Sequence, residues 1–214
     1  MSSLDKIDLN NIYTVMRERH SVRAYDPSIR IPREELKEII ELATTAPSSS
    51  NLQPWRFLII DDKEIQKQIH PITNNQQHVL EASAIIAVLG DLESLKRADD
   101  IYNRTVEAGY MPPEVKEGMM TRIQELYGGL APEQMHQINL FDAGLVSMQL
   151  MLAAKAKGYD TVPMGGYNAE KFAEALQLPE TLVPTILIAI GKGTKPARQS
   201  IRFHVDEITY WNGL

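Results

Sequence analysis

A β-sheet flanked by helices is the fold that this sequence predicts, and three observations carry it. Ala84–Leu89 (Ala-Ile-Ile-Ala-Val-Leu) and Thr185–Ile190 (Thr-Ile-Leu-Ile-Ala-Ile) are uninterrupted apolar runs, the pattern of strands covered on both faces. Trp55–Ile60 reads as a further strand. Helical patterns surround these runs, and 43% hydrophobic residues in a chain of 214 suffice for a core. With no repeat, low-complexity tract or linker, one domain over residues 1–214 is the simpler organisation.

In chain order, Asp8 suits the cap of a first helix reaching about Arg19, with Leu9, Ile12, Val15 and Met16 on one face. Pro32 sits where a second helix should begin; Leu36, Ile39, Ile40 and Ala43 mark its apolar face, and it ends before Pro47. Residues 92–127 are charged and interrupted by Pro112-Pro113, which predicts a mobile helical excursion over about 92–130. Pro132–Lys157 is the longest helical pattern, apolar on nearly every face from Ala143 to Ala154. A helix apolar all round is buried all round, either at the centre of the core or between two subunits. Gly144, Ser147 and Ala153 allow close approach of another helix and favour a dimer interface.

Composition narrows the function classes. A net charge of −6 disfavours non-specific nucleic-acid binding, which needs a basic surface. The absence of cysteine excludes disulfides, thiolate metal sites and thiol catalysis. No apolar run approaches the roughly 20 residues of a membrane span, and Met1–Asn10 lacks the apolar core of a signal peptide. A cytoplasmic protein without membrane or nucleic-acid partners is the expectation.

Two polar segments carry the candidate chemistry. In Ala46–Trp55 (Ala-Pro-Ser-Ser-Ser-Asn-Leu-Gln-Pro-Trp), hydroxyls and amides can meet the polar edge of an aromatic ligand while apolar groups cover its faces; an ordinary Ser-rich loop is the plain alternative. Arg19-His20-Ser21-Val22-Arg23 sets two guanidiniums four residues apart around a hydroxyl, a credible phosphate clamp. Opposition of a helix dipole would explain Arg17 and Arg19 but not Ser21 and Arg23. A second basic cluster, Lys192, Lys195, Arg198 and Arg202, follows the last strand and by itself reads as a solvated tail. Val162–Tyr167 contains Gly165-Gly166, where a flat ligand could approach the backbone directly, or a plain turn could form.

Other chemistries lack their patterns. No Gly-x-Gly-x-x-Gly follows a strand, and Gly191-Lys-Gly-Thr194 lacks the upstream glycine of a phosphate loop. His20, His70, His78, His136 and His204 show no paired metal spacing; Glu133-x-x-His136 is half of a di-iron motif without its second copy, so no metal is expected. No Gly-x-Ser-x-Gly marks a hydrolase nucleophile, and no carboxylate stands out as a catalytic acid or base.

Together, Arg19-His-Ser-x-Arg23 and Ala46-Pro-Ser-Ser-x-Asn51-x-Gln-Pro-Trp55 resemble the nitroreductase family of FMN-dependent oxidoreductases. The resemblance continues through Asn75-x-x-His78, Val162-Pro-Met-Gly-Gly166 and an arginine near position 202, leaving only about 92–130 unmatched. It implies an α+β, nitroreductase-like fold: a central mixed β-sheet surrounded by helices, in an intertwined homodimer with FMN at the interface. By that resemblance Arg19, His20, Ser21 and Arg23 contact the FMN phosphate, ribityl chain and pyrimidine edge. Arg202 and Arg198 complete the phosphate site, and Asn75 and His78 lie near the pyrimidine end. Pro163, Met164, Gly165 and Gly166 lie along the ring, with a backbone amide near N5, while Pro47, Ser48, Ser49 and Asn51 come from the other subunit.

Two departures qualify the transfer. His78 stands where relatives can carry Lys, so a permanent charge beside the flavin becomes conditional. Gly165 stands where some relatives have an acidic residue, so no catalytic side chain is transferred. The implied activity is ping-pong hydride transfer from NAD(P)H through FMN to nitroaromatics, quinones or related electron-poor acceptors. Flavin fragmentation, dehalogenation, or FMN binding without turnover are the alternatives.

Overall fold

The computed structural model describes residues 11–213. The N-terminal segment enters helix α1 (Ile12–Glu18) through Asn11, whose Oδ1 accepts from the backbone N–H of Tyr13 at 2.9 Å and satisfies one orphan donor of the first turn. The cap is thus Asn11; Asp8 and Leu9, expected at this helix start, lie outside the described residues. Of the described residues on the expected face, Val15 is buried, whereas Ile12 and Met16 are exposed.

Helix α2 (Arg33–Ala43) follows Pro32, which stands at the cap rather than inside the helix. Strand β1 (Trp55–Ile60) leads to α3 (Lys63–Ile69), the short α4 (His78–Glu81) and β2 (Ala84–Asp91). Between β2 and α7 the chain is largely helical, with α5 (Ala98–Glu107) and α6 (Pro113–Tyr127) separated by a turn that includes Pro112. Helix α7 (Pro132–Ala156) begins at a proline whose missing N–H costs nothing there. It ends at Gly158, φ +80°: Gly158 N–H donates to Lys155 O and Tyr159 N–H to Ala154 O, both at 2.9 Å. This left-handed glycine cap turns the chain directly into β3 (Asp160–Met164). Helix α8 (Ala169–Ala175) and β4 (Leu182–Gly191) complete the order.

The strands form one sheet in the order β1-β2-β4-β3. All three ladders are antiparallel, so the expected mixed sheet is antiparallel in its four strands; parallel pairing among the described residues is confined to the bridge Ser21–Thr161. Every residue of β2 is buried because helices cover both faces. Ile86, Val88, Ile188 and Ile190 face Leu36, Ile39, Val146 and Leu150 of α2 and α7. Ile85, Ala87, Leu187 and Ala189 face Ile69, Val79 and Phe172 of α3, α4 and α8. A third cluster, Leu52, Ala98, Tyr102 and Ile123, joins α5 and α6 to the loop before β1.

β4 begins three residues before the apolar run because it accommodates Pro184. A proline donates no ladder hydrogen bond; here the register shifts between Val88 and Leu89, and the Thr185 hydroxyl donates to Val88 O at 2.7 Å. No helix among the described residues is long and apolar enough to cross a membrane.

Candidate functional site

The candidate residues gather at two places. The first is the edge of the sheet at β3. Arg19 caps α1 with an already extended backbone (φ −72°, ψ 115°), and the chain then runs beside β3. Ser21 bridges Thr161, and Val22 N–H donates to Thr161 O at 3.1 Å. Asp26 N–H donates to Lys192 O at 2.9 Å and Thr194 N–H to Ala24 O at 3.0 Å, fastening the segment to the end of β4. Two glycines permit this approach: a Cβ on Gly191 would lie 2.9 Å from the Tyr25 ring, and one on Gly193 2.6 Å from Asp160 Oδ2.

Ser21 and Arg23 consequently line a cleft of about 620 Å³ with Ala24, Lys195, Pro196, Ala197 and Arg198. Three cations and no carboxylate line it, so it attracts anions. Arg19 stands next to this segment with its Nε buried and unpartnered, a costly state for a charged donor. His20 is half-buried between Arg19 and Ser21. Arg202 does not line the cleft: its Nη1 donates to Ser200 Oγ at 2.8 Å and Ile201 O at 2.9 Å. Arg202 lies in an exposed part of the tail, where both of its hydrogen bonds are local.

The end of β3 brings the other motifs alongside. Asn74 Nδ2 and Gln76 Nε2 donate to Gly166 O at 2.8 and 3.2 Å, which ties residues 74–78 to Pro163–Gly166. The neighbour of the expected Asn75 thus makes the contact; both asparagines adopt positive φ, 55° and 53°, which asparagine tolerates better than most residues. His78 is buried with Nε2 3.0 Å from the Met164 sulfur. Burial first, then Arg23, hold its pKa below the usual 6.5 against the opposing pull of Glu81. The conditional charge expected at His78 is therefore shifted toward the neutral imidazole. Gly165 and Gly166 are exposed, a Cβ on Gly165 would meet nothing within 4 Å, and one on Gly166 only Asn74 Nδ2 at 3.8 Å. Neither glycine is required by positive φ, so what their lack of a Cβ provides is an uncovered backbone surface. Tyr167, next in sequence, has its hydroxyl buried without a partner and its pKa pushed up to about 12 by burial.

The second place is the loop before β1. Pro47 and Asn51 are exposed there, but all three serine hydroxyls already have partners. Ser48 Oγ accepts from Gln53 N–H at 3.1 Å, Ser49 Oγ donates to Asp142 Oδ1 at 3.0 Å, and Ser50 Oγ lies 3.0 Å from the Tyr127 hydroxyl. The hydroxyls expected to face a ligand therefore shape the loop first. Asp142 on α7 is fully buried, and burial raises its carboxyl while the Ser49 bonds pull it back.

The two places lie at opposite edges and ends of the sheet. The loop precedes Trp55, level with Gly90 and Val183, whereas Ser21 joins Thr161, level with Ile190 and Ala84. Three strand spacings and six residues of strand separate them by roughly 25 Å. No group of three or more His, Asp or Glu residues converges as metal ligands would among the described residues. Sequence reasoning missed Asn74, Gln76, Thr161, Asp142 and the contribution of Lys195. Only Lys195 carried a signal, its basic cluster.

Comparison with known proteins agrees along the chain. Residues 16–192 match the profile of the "Nitroreductase family". "Putative NAD(P)H nitroreductase YdgI" of Bacillus subtilis is 44% identical over 96% of this chain and 99% of its own length. The "CLA biosynthesis enone reductase" of Lactiplantibacillus plantarum is 35% identical, covering 91% of each. The crystal structure of "a putative nitroreductase in complex with FMN" from Exiguobacterium sibiricum superposes with a TM-score of 0.90 at 41% identity, over 94% of this chain and 97% of that one. The chain belongs to the nitroreductase family.

Proposed function

We propose that the chain is an NAD(P)H-dependent FMN oxidoreductase acting as a homodimer, with an FMN site at each end of the subunit interface. The carrying observation is the junction of residues 19–23 with β3: the buried, unpartnered Arg19 Nε, the acid-free cleft, and two uncovered glycines that follow the end of the same strand. Forked, permanent arginine charge suits phosphate oxygens, and a backbone without Cβ atoms suits a flat ring. The residues present therefore fit FMN.

On this reading Arg19, His20, Ser21 and Arg23 hold the phosphate, ribityl chain and pyrimidine edge, with Arg198 and the tail residue Arg202 completing the phosphate site. Asn75 and His78 serve the pyrimidine end, His78 as a polar but uncharged group. Pro163, Met164, Gly165 and Gly166 support the ring, leaving its other face open. Pro47, Ser48, Ser49 and Asn51 come from the neighbouring subunit, because roughly 25 Å separates them from the clamp of their own chain. Exposed apolar side chains supply the interface: Phe141 on α7 is 68% exposed, and Ile201 and Trp211 in the tail 95% and 85%. When bound, FMN supplies hydride transfer from NAD(P)H to nitroaromatic, quinone or related electron-poor acceptors, in ping-pong order. A cytoplasmic location belongs to the same reading.

The visible spectrum of the purified protein, before and after anaerobic NADH or NADPH, tests cofactor, reaction and donor at once. Flavin bands that bleach promptly are expected. Protein that is colourless and stays so after FMN is added, or flavin that neither nucleotide reduces, would sink the reading.

A further inference from the structure

We propose that Asp142 is a positioning residue for the cofactor site, clamping Ser49 so that the Ser48–Asn51 loop keeps the shape in which it meets FMN held by the neighbouring subunit. This rests on the proposed FMN site and names a residue of that site. Asp142 lies on α7, distant in sequence from the loop, and no part of it is exposed. Its oxygens accept from Ser49 N–H at 3.0 and 3.1 Å, and Oδ1 also accepts from Ser49 Oγ at 3.0 Å. A carboxylate buried to this degree is costly unless hydrogen bonds compensate it, and every hydrogen bond it accepts through its side chain comes from Ser49.

The loop needs such a clamp. Ser50, Asn51 and Gln53 have φ of 47°, 52° and 48°, left-handed conformations that non-glycine residues hold only when their surroundings enforce them. The Tyr102 hydroxyl donates to Ser50 O at 3.1 Å and Tyr127 meets Ser50 Oγ, so α5 and α6 fix the loop at its middle. Asp142 fixes it one residue earlier, at the start of the left-handed stretch. Asn51 follows directly, and its carbonyl and amide oxygens receive only long contacts from Gln53 Nε2, at 3.4 and 3.3 Å. The direction in which Asn51 is presented thus depends on those two anchors.

The test uses full-length dimers and reads FMN dissociation by flavin fluorescence, FMN stoichiometry, and the melting temperature of the FMN-free protein. Asp142→Ala homodimers should release FMN ten- to hundredfold faster, the effect of losing hydrogen bonds to a charged group. A mixed dimer of one Arg19→Ala subunit and one Asp142→Ala subunit separates positioning from general damage. If Asp142 acts across the interface, both lesions fall on one site, and the other site keeps one FMN per dimer with wild-type dissociation. Two weakened sites in the mixed dimer would overturn the proposal, as would wild-type dissociation from the Asp142→Ala homodimer. Should Asp142→Ala fail to fold, the shape-matched Asp142→Asn runs through the same comparison with the same outcomes. Wild-type protein that binds no FMN overturns the FMN reading itself, and this inference with it.

Discussion

Gly166→Leu is the sharpest test of where the flavin ring lies. In the chain itself the substitution meets little resistance: Gly166 is exposed, its φ is not left-handed, and its new Cβ would find only Asn74 Nδ2 at an ordinary 3.8 Å. Folding stability should therefore change by no more than about 0.5–1 kcal/mol, with a gain possible because leucine restricts the unfolded chain. The same side chain would fill the space above the Gly165 and Gly166 amides and deny them to a ligand. Two lost hydrogen bonds at about 0.5–1.5 kcal/mol each give about 1–3 kcal/mol, a roughly fivefold to 150-fold rise in the FMN dissociation constant. Urea denaturation of FMN-free protein and quenching of flavin fluorescence on titration measure the two quantities separately. Unchanged FMN affinity would refute the assignment of this backbone to the ring. A stability loss of several kcal/mol would refute the inference that the space is open.

Two further outcomes follow from the geometry. His78 has a folded-state pKa below its ordinary 6.5, so the unfolded chain takes up a proton that the folded protein refuses. Its contribution to stability is complete above about pH 6.5 and lost progressively as pH falls toward the folded value; in Urea titrations at several pH values, His78→Gln should therefore flatten the fall in stability below pH 6.5, and an unchanged slope would count against the burial argument. Phe141→Glu puts a charge on the exposed apolar face of α7 and should give a monomer by size-exclusion chromatography, with FMN retention falling alongside. A dimer that persists with its full FMN content would remove α7 from the interface.

The sequence showed most clearly where one periodicity dominated. Trp55–Ile60 is the strand as read, and Pro132–Lys157 differs from α7 only by its capping residue. Boundaries moved where a side chain overrode the pattern. Pro184 ends the apolar run of β4, yet the Thr185 hydroxyl and a register shift carry the strand past it. The start of α1 is set by Asn11, whose side chain takes the cap. β3 was legible only as a possible backbone surface, since five residues containing Pro163 on a sheet edge make a weak strand pattern.

The site divides along the same line. Arg19–Arg23 and Ala46–Trp55 stand out because each concentrates chemistry within a few neighbouring residues. Asp142 and Thr161 do not, because a lone polar residue inside an apolar helix or at a strand start acquires meaning only from what folds against it. Asp142 meets Ser49 through the packing of α7 beneath the loop, and Thr161 meets Ser21 through the sheet edge. Sheet order then adds what neither motif contains: with the loop at the β1 edge and the clamp at the β3 edge, a single chain offers two halves facing apart. On the proposed reading their union in one cofactor site takes a second copy, and the exposed apolar side chains of α1, α7 and the tail are the surfaces by which that copy would dock. If the site is shared in this way, cofactor affinity and subunit association form one linked equilibrium, so dilution should release FMN and added FMN should hold the dimer together.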